Sequence, residues 1–386
     1  MSDEFTEVTS ESWFSRIMDS IKGILVGIIL IPVAIFLLFW NENRAVDTAK
    51  GLKEGAAAVV SADPAKVESA HEQKLVHLTG EATCKDVLRD PLFAAGATAI
   101  RLTRVVEMYQ WKEEKSSETR KKLGGGTETA TSYKYQPNWS DTLINSGEFK
   151  QPDGHQNPTS MIAEKSVLVS PDVKMGAYKL PDSVLGKMQG DVPLPATQED
   201  LAKVAPDLQS KLHLSAGMFY VGKEPNTPVV GDQRVSFRIL EPAVWSVIAR
   251  QTGTTLEPYP TRVGSPIERV ESGTVSADAM FKHAESENTT LTWLLRLAGF
   301  VLMAIGFGLI LKPFSVLGDV IPLIGNIIGT GGALISMLLS FVISIIVIAV
   351  AWFVVRPLLS IALLVVAVAG IVMAWRRGSA RKAARA

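Results

Sequence analysis

Four stretches of the chain are almost unbroken runs of apolar residues, with no polar face at any period. They are residues 23–40 (GILVGIILIPVAIFLLFW), 293–311, 333–355 and 358–375. At about 18–23 residues, each can cross a ~30 Å hydrocarbon core as a helix. Trp13 and Trp40 bracket the first run where interfacial rings belong. No small-residue cleavage site follows it, so it reads as a retained anchor. Arg296 stands near the start of the second run, from which a long side chain can snorkel to the headgroups. Only Arg356 and Pro357 separate the third run from the fourth, which predicts a tight helical hairpin. Residues 312–332 (KPFSVLGDVIPLIGNIIGTGG) are apolar but interrupted by Pro313, Pro322 and five glycines. They read as an interfacial or re-entrant segment.

Between the first and second runs the pattern changes to short alternating stretches punctuated by Gly, Pro and Thr. Residues 74–83, 99–114, 127–135, 217–222, 233–240 and 243–251 alternate as strands do. Gly124, Gly125 and Gly126 suit a hairpin loop, and no Lys-Ser/Thr pair follows them at phosphate-loop spacing. Helical pieces are expected at 44–60, 198–212 and 276–290. The fold class is therefore a multi-pass α-helical membrane protein with four spans and a large, mainly β (α+β) extramembrane domain. Strand-rich stretches at about 70–165 and 210–272 are compatible with two small β-barrel-like units.

Charge sets the expected orientation. The tail after Trp375 carries Arg376, Arg377, Arg381, Lys382 and Arg385 without an acid, which favours the cytoplasmic side and contact with anionic lipid. Four spans then give a cytoplasmic N-terminus (1–22), transmembrane helix 1 (23–40) and a periplasmic or lumenal domain (41–290). Helices 2 (293–311), 3 (333–355) and 4 (358–375) and the basic tail (376–386) follow. The 386 residues carry 39 basic and 39 acidic side chains, and this zero balance argues against a nucleic-acid binder. A single cysteine, Cys84, excludes an internal disulfide framework.

Candidate chemistry is sparse. His71, His77, His155, His213 and His283 show no metal-ligand spacing, and neither a nucleophile elbow nor a Rossmann glycine run is present. His155, Asn157 and Pro158 read as a turn in which Asn157 bonds local backbone. Asp232 and Arg234 read as an ion pair or turn cap at a strand start. Trp111 and Trp139, with Tyr109, Tyr133 and Tyr135, form an aromatic cluster across a hairpin. Ser336, Ser340 and Ser344 recur at every fourth position, a spacing that lets helices pack closely. No catalytic, cofactor-binding or metal residue is expected, and the protein is not expected to be an enzyme.

Several of these segments resemble the transmembrane protein 43 (LUMA) family. They are Glu107-Met108-Tyr109-Gln110-Trp111, Glu118-Thr119-Arg120, the 133–139 region and Gly154-His155-Gln156-Asn157-Pro158. Residues 230–237 (VGDQRVSF), 247–251 (VIARQ, with Arg250) and Trp352 through Arg356-Pro357-Leu358 complete the set. The order of these motifs over some 250 residues carries the resemblance, and alanine-rich stretches point to a bacterial member. The resemblance implies an endoplasmic-reticulum and inner-nuclear-membrane protein in animals, with a lumenal domain, self-association and an organising role with lamins and emerin. In a bacterium the setting would be the inner membrane. The expected function is a non-enzymatic scaffold that organises membrane protein complexes. Its partners would be membrane lipids, other membrane proteins and further copies of itself. The alternative is a lipid-binding or lipid-modifying protein whose external domain holds an amphiphile.

Overall fold

A computed structural model describes residues 4–355. The chain divides into a helical unit and a sheet unit. The helical unit takes Thr9–Leu52, Thr119–Thr129 and the chain from His283 onward. The sheet unit takes the chain up to Val8, Lys53–Glu118 and Ala130–Lys282.

Three long helices dominate the helical unit: Trp13–Ala58, Ala277–Gly318 and Pro322–Val355. Each is long and apolar enough to cross a membrane. The fourth apolar run (358–375), Arg356, Pro357 and the basic tail lie outside the described residues. The first helix continues well past Trp40 because Ala, Lys and Glu are frequent up to Ala58, all good helix formers. The second begins at Ala277 and absorbs the helical piece expected at 276–290. Residues 312–332, expected as an interfacial or re-entrant segment, are largely helical. Helix persists through Pro313 to Gly318, breaks for three residues, and restarts at Pro322. Pro322 sits in a first helical turn, where a missing N–H costs nothing.

Glycines set how closely these helices approach. A Cβ at Gly27 would lie 2.5 Å from the Gly306 carbonyl oxygen, and one at Gly299 would lie 2.6 Å from Leu38. The two backbones thus touch where only glycine fits. Ala34, Leu38 and Met303 form a fully buried centre beside them, packed by Phe307, Ile343 and Val347.

The sheet unit is built on two large sheets. The first runs in the order Glu4–Glu11, Thr127–Ser140, Arg101–Lys121, Gln233–Leu240, Met218–Val221 and His213–Ser215. Val192–Leu194 adds to Gln233–Leu240, and Ser166–Val169 adds to Arg101–Lys121. In Gln233–Leu240 the inward residues Val235, Phe237 and Ile239 recur with period two, as a one-sided strand requires. Phe237 and Phe219 meet Phe93 with ring centroids 6.1 and 5.8 Å from it. The second sheet centres on Leu75–Thr83 and Ala243–Thr252, antiparallel with Val247 opposite Leu78 and Ala249 opposite Val76. Tyr178, Met175 and Trp245 close its core.

Strands from 70–165 and 210–272 pair with each other in both sheets: Arg101–Lys121 with Gln233–Leu240, and Leu75–Thr83 with Ala243–Thr252. Two consecutive barrel-like units are therefore not what these residues form, because each half finds its complementary edge in the other. The helix expected at 198–212 is present as two short pieces, Gln198–Lys203 and Pro206–Gln209, the first capped by a Thr197–Asp200 capping box.

Candidate functional site

The densest polar arrangement in the helical unit lies at the end of the first apolar run. Glu42, 1% exposed, accepts hydrogen bonds from Arg296 Nε (2.6 Å) and Nη2 (2.8 Å) and from the Trp352 indole N–H (2.6 Å). The Arg296 guanidinium lies 4.7 Å from the Trp293 ring centroid and 5.7 Å from that of Trp352. Both rings present a negative face to the cation. Next to this group, Asn41 donates to the Thr292 carbonyl (3.0 Å), and Arg44 donates to Asn288 and Thr292 (3.1 Å each). Asn288 in turn donates to the Ala45 carbonyl. All three long helices thus contribute to one polar layer.

A cleft of about 380 Å³ opens beside it, lined by Glu42, Ala49, Glu285, Thr289, Trp293 and Arg296. Its central charges, Glu42 and Arg296, are already spent on each other. Sequence reasoning gave Arg296 a snorkelling role and Glu42 none. The missed signal was a lone acid and a lone base at matching depth beside two apolar runs.

In the sheet unit the expected turn is more than a turn. Asn157 accepts from the Trp111 backbone N–H (2.7 Å) and donates to the Trp111 and Ile144 carbonyls (2.9 and 3.3 Å). It therefore acts as one more strand residue against Trp111. His155 is buried, stacked on Tyr135 at 4.0 Å and edge-on to Trp111 at 4.8 Å, with Nδ1 2.9 Å from the Gln151 carbonyl. Pro158 follows directly in sequence.

Asp232 and Arg234, expected as an ion pair or a turn cap, go to different partners. Asp232 is buried and accepts from the Tyr220 hydroxyl (2.7 Å) and the Val229 N–H (2.9 Å). Burial, and then the Asp232 carboxylate, push the Tyr220 hydroxyl well above its ordinary range. Arg234 makes a two-pronged pair with Glu107 (2.7 and 2.9 Å) across the strand register and covers the Trp139 ring at 4.5 Å. Trp139 also meets Tyr109 at 5.3 Å, so a partly exposed aromatic strip capped by a guanidinium runs along this face. Arg250 pairs with Glu257 on the neighbouring strand.

Ser336, Ser340 and Ser344 are all buried, at 2%, 0% and 6% exposure, on the third long helix. Ser336 donates to the Gly332 carbonyl four residues back, and its Oγ lies 4.0 Å from the Cβ position of Gly308. Cys84 is half-buried, and burial pushes its thiol up, the direction of an unreactive side chain. Among the described residues no group of three or more His, Cys, Asp or Glu could hold a metal ion.

Known proteins place this architecture. A family model described as Transmembrane protein 43 matches residues 108–357. Mouse transmembrane protein 43 is 32% identical over 394 aligned residues, covering 98% of this chain and 96% of its own. The human protein is 31% identical over 381 residues, at 96% and 94% coverage. A Drosophila melanogaster protein named Transmembrane protein 43 homolog is 31% identical over 352 residues, at 88% and 90%. No solved structure matches the chain. The match spans the apolar helices, the interleaved sheets and the Trp111–Asn157 contact alike, and on that ground the chain belongs to the transmembrane protein 43 family.

Proposed function

We propose that the protein is a non-enzymatic membrane scaffold that uses its large domain to hold other membrane proteins and further copies of itself. The observation that supports this reading is where its reactive-looking groups are spent. Glu42, Arg296, Asn157 and His155 hold separate parts of the chain together, and Asp232 ties its own turn to the adjacent strand. What remains presented on the sheet unit is the Tyr109–Trp139 strip under Arg234. Aromatic and arginine side chains are the types enriched where proteins meet. The alanine-rich composition and basic tail support a bacterial inner-membrane setting with the tail in the cytoplasm. Cross-linking in native membranes followed by purification tests the reading. Defined membrane proteins should be recovered with the wild type and lost with Trp139→Ala. Recovery of the same set with both would count against it.

The second reading, an amphiphile binder, draws on the cleft beside Trp293. A lipid co-purifying at one per chain and lost on Thr289→Trp would favour it.

A further inference from the structure

The cleft beside the polar layer is lined wholly by the helical unit, and its two ends are chemically unlike. At the inner end, next to the apolar runs, the pair with Glu42 occupies only Nε and Nη2 of Arg296. Its Nη1 enters no hydrogen bond among the described residues. The guanidinium is held in place, with Glu42 gripping it by two prongs and the Trp293 and Trp352 ring centroids 4.7 and 5.7 Å away. A donor fixed in advance binds an anion without first losing rotamer freedom. Phosphate oxygen is an acceptor that the planar arginine fork suits well.

At the outer end stands Glu285, exposed, whose carboxylate has no hydrogen bond or ion pair among the described residues. The neighbouring Thr289 hydroxyl donates to the Glu285 backbone carbonyl (2.9 Å) instead. Glu42 and Arg296 cancel, so Glu285 leaves the lining with one unbalanced negative charge. Trp293, 63% exposed, adds an aromatic wall of the kind that attracts a cation.

The order of these groups matters. From 285 to 296 the helix advances 11 residues, about 16 Å, a gap that two long side chains narrow. The free N–H groups lie near the apolar runs and the free carboxylate lies farther out. A zwitterionic phospholipid has the same order, with phosphate next to its chains and ammonium beyond. Run 23–40 ends beside the cleft and run 293–311 begins there, so a lipid can enter with its chains still in hydrocarbon. A volume of about 380 Å³ is at the low end for small-molecule sites and suits a headgroup rather than acyl chains.

We propose that the cleft binds the headgroup of a zwitterionic phospholipid, its phosphate on Arg296 Nη1 and its ammonium beside Glu285 and the Trp293 ring. This rests on the amphiphile reading, which it deepens by naming the headgroup, and it is independent of the scaffold reading. An anionic lipid without an ammonium would leave Glu285 unpaired and facing a like charge.

The test uses the full chain in detergent, titrated with phosphatidylethanolamine or phosphatidylglycerol of identical acyl chains and read by native mass spectrometry. The wild type should hold one phosphatidylethanolamine per chain, about tenfold more tightly than phosphatidylglycerol. Glu285→Lys changes an exposed side chain and should reverse that preference with the melting temperature unchanged. Thr289→Trp, which puts a large side chain into the cleft, should abolish binding of both. Soluble glycerophosphoethanolamine at equal concentration should displace neither. Phosphatidylglycerol bound as tightly or more tightly by the wild type, or an unchanged preference in Glu285→Lys, overturns the headgroup assignment and leaves the amphiphile reading standing. Displacement by the soluble headgroup overturns the bilayer as its source, and binding that survives Thr289→Trp overturns the site. No lipid at one per chain with either headgroup overturns both the proposal and the amphiphile reading.

Discussion

Glu42 and Arg296 are 254 positions apart in sequence, yet their side chains meet in a two-pronged pair with one partner 2% and the other 16% exposed. Trp352 closes the third side of the carboxylate.

Glu42→Ala removes the acceptor and leaves a buried guanidinium and an indole N–H unpartnered. The expected loss is about 3–5 kcal/mol, as for other broken buried pairs. Joint replacement of Glu42 and Arg296 by Met should recover much of it, since neither charge is then stranded. Thermal unfolding in detergent of the single and double variants checks both statements.

Close helix approach predicts a size threshold. Gly306→Val would drive a branched side chain into Ile31 and the Gly27 carbonyl. It should cost about 1–3 kcal/mol by overpacking. Gly308→Ala meets nothing nearer than the Ser336 Oγ at 4.0 Å and should be nearly silent. The same contrast applies on the third helix. Ser340→Leu enters a site with 0% exposure, whereas Val342→Leu changes a side chain that is 53% exposed. Only the first should lower the melting temperature.

Asn157→Ala breaks the bridge to both backbone groups of Trp111. Loss of these partly buried bonds should cost about 1–3 kcal/mol. Asn157→Asp keeps the acceptor for the Trp111 N–H but sets an oxygen against two carbonyls, so it should rescue little. Chemical denaturation of the purified protein measures this.

The pH dependence has a definite sign at the alkaline end. In the folded state Tyr220, Tyr135 and Tyr178 all have hydroxyls raised above their ordinary value, first by burial. A raised folded value means full stability below the unfolded value of about 10, and loss as pH climbs through the folded one. Stability should therefore fall above about pH 10. Tyr220→Phe should flatten part of that fall, and unfolding curves between neutral and strongly alkaline pH would show it.

The strands were legible because one-sided burial imprints a period of two; residues 233–240 show it both in sequence and in the inward Val235, Phe237 and Ile239. Three of the apolar runs stood out by length alone. Pairing was not legible. Nothing local in Val76 says that Ala249 will face it, since register is fixed by edges that meet only in three dimensions. The Asn157 contact was half-read, as a turn, because side-chain bonding to a remote strand leaves no pattern in neighbouring residues. Asp232 and Arg234 are two apart, and in a strand that spacing places side chains on one face. The choice between each other and partners on the neighbouring strands, Tyr220 and Glu107, lies outside that rule.

The mixing of early and late strands has a consequence for synthesis. When strand Arg101–Lys121 leaves the ribosome, its partner Gln233–Leu240 has not been made, and Leu75–Thr83 waits longer still for Ala243–Thr252. At ~5–20 residues per second, the nascent chain holds these edges open for on the order of ten to thirty seconds. An unpaired apolar edge is a template for aggregation. A product stopped by premature termination before residue 233 would keep both edges open for good, and it should fall to proteolysis rather than accumulate as a smaller domain.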